Sequence, residues 1–143
     1  MPSAFFAYFV PAIVGLLLGS EVALANLVAN IDLSRQVMTV SVNGSPYARW
    51  KVSTGRDGYG TPTGSFRPYL LRRMHYSSKY DNSPMPHSVF FRGGYAIHGT
   101  GYIKRLGRRA SHGCVRLHPK NAARLYRLVL TYGFDNTRIR IHW

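Results

Sequence analysis

The chain has 143 residues, 19 lysines and arginines against five acids, a formal charge of +14 and one cysteine. This length leaves room for one ordinary domain and no second module, and a lone cysteine excludes a disulfide within the chain. Arginine supplies 15 of the 19 cations, so the surface field would concentrate polyanions, a merely soluble basic surface being the alternative.

In chain order, the apolar run from Ala4 to Gly19 is broken only by Pro11 and is followed by Ser20, Glu21 and the small-residue triplet Ala23-Leu24-Ala25. It reads as a secretory signal peptide over residues 1–25, cleaved after Ala25. No Lys or Arg precedes the run, so an uncleaved membrane anchor is the alternative. Residues 26–143 then form the domain, with all 19 cations and four acids, a formal charge of +15. In the cytosol such a field would point to nucleic acid. Export to the periplasm or cell envelope points instead to wall carboxylates, anionic lipids and wall polymers.

Leu27 to Asp32 predicts a strand, Leu33 to Gln36 a turn, and Val37 to Val42 a second strand with alternating side chains. Asn43-Gly44 supplies a tight hairpin turn, and Tyr47 to Val52 returns with Trp50 and Val52 on one face. Ser53-Thr54-Gly55 and Gly58 to Gly64 are dense in turn formers, with a short strand around Phe66. Tyr69 to Val89 has no clean period and is read as a surface loop covering something. Val89-Phe90-Phe91 and Tyr95-Ala96-Ile97 read as buried strands, the second delivering His98 at its end. Pro119 opens a helix whose apolar stripe is Ala122, Leu125, Tyr126, Val129 and Leu130, closed by Gly133. Thr137 to Ile141 is a final strand with Ile139 and Ile141 inward. The sum is mainly β with one helix, and chain order alone does not separate a sandwich from a barrel.

Cys114 stands in the polar setting Ser111-His112-Gly113-Cys114-Val115-Arg116. Buried filler cysteines sit in apolar runs, which this is not. A thiol of pKa near 8.5 is mostly protonated at neutral pH, so a nucleophile needs a base within reach or positive charge nearby. His98, at the end of a strand, offers the base, its tautomer fixed by a backbone carbonyl. Arg108, Arg109 and Arg116 offer the charge, and Gly113 permits the sharp turn that aims amide groups at a tetrahedral oxygen. A metal site from His98, His112, Cys114 and His118 lacks the paired spacings of structural zinc, so no metal is expected.

These residues resemble the L,D-transpeptidase catalytic domain, or YkuD domain: His98-Gly99, a spacer, then Ser111-His112-Gly113-Cys114-Val115-Arg116. Ile31 to Ser34, Val52 to Gly55, Thr61 to Phe66 and the helix after Leu117 extend the resemblance over nearly all of residues 26–143. It implies a curved β-sandwich whose cleft lies beneath a loop. It also implies a cysteine acyltransferase acting on peptidoglycan stem peptides. Cys114 is then the nucleophile and His98 the base, with D-alanine released and the acyl group passed to an amine for a 3-3 cross-link or the attachment of a wall protein. Ser111, His112, Gly113, Gly99 and Thr100 shape the oxyanion hole and pocket. Arg116, Tyr76, Met85 and His87 meet substrate, and no cofactor, metal or nucleic acid is involved. Interception of the thioester by water, giving a carboxypeptidase or amide hydrolase, is the alternative, and a non-catalytic wall binder or a nucleic-acid binder is weaker still.

Overall fold

The computed structural model describes residues 25–143 and, upstream, Ser3, Ala4, Ala7, Pro11 and Gly15 as single positions. The expected signal peptide over residues 1–25 thus falls almost entirely outside the described residues. No helix among those described is long and apolar enough to cross a membrane.

Strand β1 (Leu27–Asp32) buries Leu27, Ala29 and Ile31 and turns its alternate residues outward. β2 (Val37–Val42) pairs with it antiparallel. Asn43 and Gly44, at φ +50° and +79°, then close the hairpin into β3 (Ser45–Lys51). Two positive φ values match the twist of paired strands, and these two residue types adopt them at little cost. β4 (Gly64–Phe66) is antiparallel to the last strand, β9 (Thr137–His142), which itself runs parallel beside β1. The first sheet is therefore ordered β3-β2-β1-β9-β4.

The second sheet is β5-β6-β7-β8, formed by β5 (Leu70–Tyr76), β6 (Pro84–Arg92), β7 (Tyr95–Gly99) and the short β8 (Val115–Leu117), parallel to β7. Here the reading of Tyr69 to Val89 as a loop is corrected: most of it is a long hairpin, β5 and β6, with a turn over residues 77–83. Its period is hidden for physical reasons. β5 is an edge strand with much of its length exposed, and β6 carries Pro84 and Pro86, which suit an edge and not a ladder interior. At His87, φ is +50°, and the facing of side chains along β6 changes there.

Helix α1 (Pro119–Tyr132) begins with Pro119 in its first turn and His118 as its cap, Nδ1 accepting from the Lys120 amide at 3.1 Å. Ala122, Leu125 and Val129 are buried, whereas Leu130, expected on the same stripe, is 61% exposed. The two sheets and α1 enclose one main core: Leu27, Ile31, Met38 and Ile139 from the first sheet, Val89, Ile97 and Leu117 from the second, and Leu125 from the helix. Each fully buried Leu or Ile there is worth roughly 1.5–3 kcal/mol relative to exposure. The expected two-sheet β-sandwich with one helix is what the structure has.

Candidate active site

Strand alternation places the residues of the predicted site. In β6 to β8, Val89, Phe91, Ile97, Val115 and Leu117 point into the main core. Their neighbours Phe90, Ala96, His98, Cys114 and Arg116 therefore point to the opposite, outer face of the second sheet. Phe90 and Ala96 form a small apolar floor there with Met85, against which Leu70 and Cys114 pack. Past His87 it is Met85, not Pro86, that faces this side. The result is a cavity of about 200 Å³ lined by His75, Met85, Phe90, His98, Cys114 and Arg116 and bounded by the turn between β5 and β6 at Lys79 and Tyr80.

His98 and Cys114 thus share one cavity, as the sequence predicts. His98 is 7% exposed, and its Nδ1 lies 2.7 Å from the Gly99 carbonyl oxygen. A carbonyl only accepts, so Nδ1 carries the hydrogen and Nε2 is left with its lone pair. Burial pushes this imidazole down from 6.5 to about 4; the Gly99 carbonyl opposes the shift, and the charges of Arg116 and His75 add to it. Burial likewise raises the half-buried Cys114 thiol above its ordinary value, against the pull of the Ala96 amide and Arg116. At neutral pH the resting pair is therefore neutral thiol and neutral imidazole.

The turn before Cys114 is built by its own side chains and by the segment after β3. Gly113 has φ +123°, and a Cβ on it would stand 2.6 Å from the Tyr95 ring, so no other residue fits. Ser111 Oγ donates to the Cys114 carbonyl at 2.6 Å and accepts from the Gly113 amide at 3.0 Å. Of the amides at this turn, that of Gly113 is thus engaged by Ser111, and that of the following Cys114 is the one Ser111 leaves free. Thr61 Oγ1 donates to the Gly113 carbonyl at 2.8 Å and accepts from the Gly55 amide at 2.9 Å. Ser53 and Arg116 exchange two backbone hydrogen bonds at 2.8 and 3.0 Å. The conformation of the motif is set by residues about 50 positions upstream.

The other predicted residues divide. Arg116 lines the cavity and reaches the Ala110 carbonyl at 3.5 Å, and Met85 lines it too. Tyr76 is 57% exposed at the end of β5 and His87 packs edge-on against Tyr126 of α1. Neither lines the cavity. Gly99 contributes its carbonyl to His98, and Thr100 accepts from the Tyr102 amide, so both support the site from outside the cavity. His112 stacks on Tyr80, centroids 4.0 Å apart and planes 9° from parallel, and meets the edge of Tyr59. Lys79 and Arg56 lie over the outer rings.

This row separates the cavity from a second one of about 460 Å³, bordered by Gly58, Tyr59 and Tyr95, and Cys114 opens to both. Sequence reasoning missed His75, Tyr80 and Tyr59 as cavity residues. His75 and Tyr80 lie in the segment without period, and Tyr59 in a run of turn formers. Among the described residues no three His, Cys, Asp or Glu side chains gather as metal ligands would.

Residues 27–141 match the family model YkuD, the L,D-transpeptidase catalytic domain. A Bacillus subtilis (strain 168) protein named for L,D-transpeptidase activity, YkuD, is 26% identical over 116 residues, covering 78% of this chain and 63% of that protein. In three dimensions the chain is similar to an L,D-transpeptidase from Mycobacterium smegmatis, with TM-score 0.74 and 23% identity over 83% of this chain and 59% of that one. An L,D-transpeptidase from Xylanimonas cellulosilytica DSM 15894 gives TM-score 0.70 and 28% identity over 84% and 62%. The chain spans about three fifths of the length of these relatives.

Proposed function

Because the chain belongs to the YkuD family of L,D-transpeptidase catalytic domains, we propose that it is a cysteine-dependent acyltransferase of peptidoglycan stem peptides, working in the periplasm or cell envelope. The observation that carries this reading is the meeting of Cys114 and His98 at one cavity, with His98 Nδ1 engaged by Gly99.

The chemistry follows from the protonation states. With both groups neutral at rest, Cys114 attacks the carbonyl of the third stem residue as its proton passes to His98 Nε2. A preformed thiolate is not required. The Cys114 amide faces the oxygen of the tetrahedral adduct, a contact worth roughly 3 kcal/mol at comparable sites. The adduct collapses to a thioester, and His98 returns the proton to the departing amine of D-alanine. An incoming amine then attacks the thioester, gives a proton to His98, and the thiol is restored. The second cavity offers the acceptor its own approach to Cys114, on the far side of the Tyr80–His112 stack, and this favours transfer over hydrolysis. The acceptor is the side-chain amine of a second stem or of a wall protein.

Incubating the full chain with a stem tetrapeptide and following it by mass spectrometry tests the reading. A tripeptidyl adduct on Cys114 with released D-alanine is expected, and it should be absent from Cys114→Ala. A cross-linked product identifies transfer and a free tripeptide the hydrolytic alternative. No adduct on the folded protein overturns both.

A further inference from the structure

The outer face of the first sheet carries a second feature that the chemistry at Cys114 does not use. Because Leu27, Ala29, Ile31, Met38, Val40, Trp50, Ile139 and Ile141 point inward, their neighbours form a continuous outward surface. Strand register puts one row of it in line: Arg49 opposite Thr39, Thr39 opposite Asn30, Asn30 opposite Arg140, and Arg140 opposite Ser65. Arg49 and Arg140 are three strand spacings apart, about 14 Å. Between them lies a groove of about 640 Å³ with Thr39 and Asn30 in its floor, among the apolar surfaces of Val28, Pro46, Tyr47 and Ala48. A second hollow, by Asn26 and Asn43, shares Arg140 with it.

The charge on this face is mainly positive. Asp32, at the edge of the face, is held by Ser34 Oγ at 2.6 Å and by Arg35. The other described ion pairs use Arg67 and Arg109, so neither Arg49 nor Arg140 is matched by an acid among the described residues. Two guanidinium groups flanking a floor that sets the Thr39 hydroxyl and the Asn30 amide among apolar side chains suit a single extended peptide bearing carboxylates, which would meet forked donors on both sides and both hydrogen-bonding and apolar groups beneath. A recessed groove with an arginine at either end does not suit a bilayer, which binds through projecting apolar side chains and lysines.

We propose that this groove is a wall-holding site that binds the peptide-stem carboxylates of peptidoglycan on the face of the sandwich opposite the cleft. The proposal rests on the reading of the cleft as a stem-peptide acyltransferase, which supplies the polymer. Holding the wall on one face raises the local concentration of stems at the other, as linked binding does.

The test is co-sedimentation of the full chain with purified wall stripped of phosphate polymers by hydrofluoric acid. The pair Arg49→Gln and Arg140→Gln should bind about five- to tenfold more weakly, as the loss of two exposed charge contacts predicts. A pair removing equal charge from exposed positions of α1, Arg124→Gln and Arg127→Gln, should bind as the unaltered chain does. Converting the wall carboxylates to amides should abolish the difference between the groove pair and the unaltered chain.

Equal losses from both pairs would make the effect one of net charge and overturn the site. So would undiminished binding to amidated wall, or unaltered chain that stays in the supernatant. The Cys114 adduct with soluble tetrapeptide is read separately: adduct without sedimentation rejects the groove alone, and sedimentation without adduct rejects the acyltransferase reading.

Discussion

A histidine that is 7% exposed and stays neutral down to about pH 4 makes the fold sensitive to acid. Below its ordinary value of 6.5 the unfolded chain takes up a proton at this position, while the folded chain does not until about pH 4. Stability is therefore unaffected by His98 above pH 6.5 and falls as pH drops from there to about 4, by a total approaching about 3 kcal/mol. Urea unfolding at intervals across that range should show the decline, and His98→Asn should flatten it. An equal slope in both proteins would mean the ring is not held neutral. At this scale the sequence was readable where a residue's chemistry conflicts with its neighbourhood: a thiol among polar residues, a glycine before it, a histidine ending an apolar strand. His75 and Tyr80 carry no such local conflict. They reach the cavity only because β5 folds back on β6, a pairing that no short window contains.

At the scale of elements, the turn between β5 and β6 is tied to the cysteine motif by the stacking of Tyr80 on His112. Stacking of aromatic rings contributes about 0.5–1.5 kcal/mol beyond burial. Tyr80→Ala should therefore raise KM for a stem peptide several-fold with a smaller change in kcat, and Tyr80→Phe should behave as the unaltered protein. Steady-state kinetics of D-alanine release separate the two; an equal effect of Phe and Ala would shift the role to the hydroxyl. Alternating strands, the Asn43-Gly44 turn and the proline-led helix were legible because each is written in contiguous residues. Three strands were not, or only in part. β5 and β6 lose their alternation to prolines, edge exposure and the turned backbone at His87. β8, three residues long, exists because Ser53 and β7 flank it.

For the molecule as a whole, the charge outweighs its internal neutralisation. The three ion pairs of the described residues are largely exposed, and pairs of that kind contribute about 0–1 kcal/mol each. Mutual repulsion among the remaining cations opposes the compact state. Raising salt from about 20 to about 300 mM shortens the reach of that repulsion to within side-chain distances and should lift Tm by roughly 2–5 °C. Scanning calorimetry reads this directly, and a falling Tm would show that attractive pairs dominate instead. Within the same architecture, β7 and β8 divide their labour by position. Ile97, Val115 and Leu117 fill the interior, while Ala96, His98, Cys114 and Arg116 face the cavity with floor, imidazole, thiol and guanidinium. Replacements confined to one set leave the other's surroundings intact, so the selectivity of such a protein can drift across generations, or be diversified in a library, without renegotiating its foldedness. A single inserted residue in either strand would exchange the two roles at once.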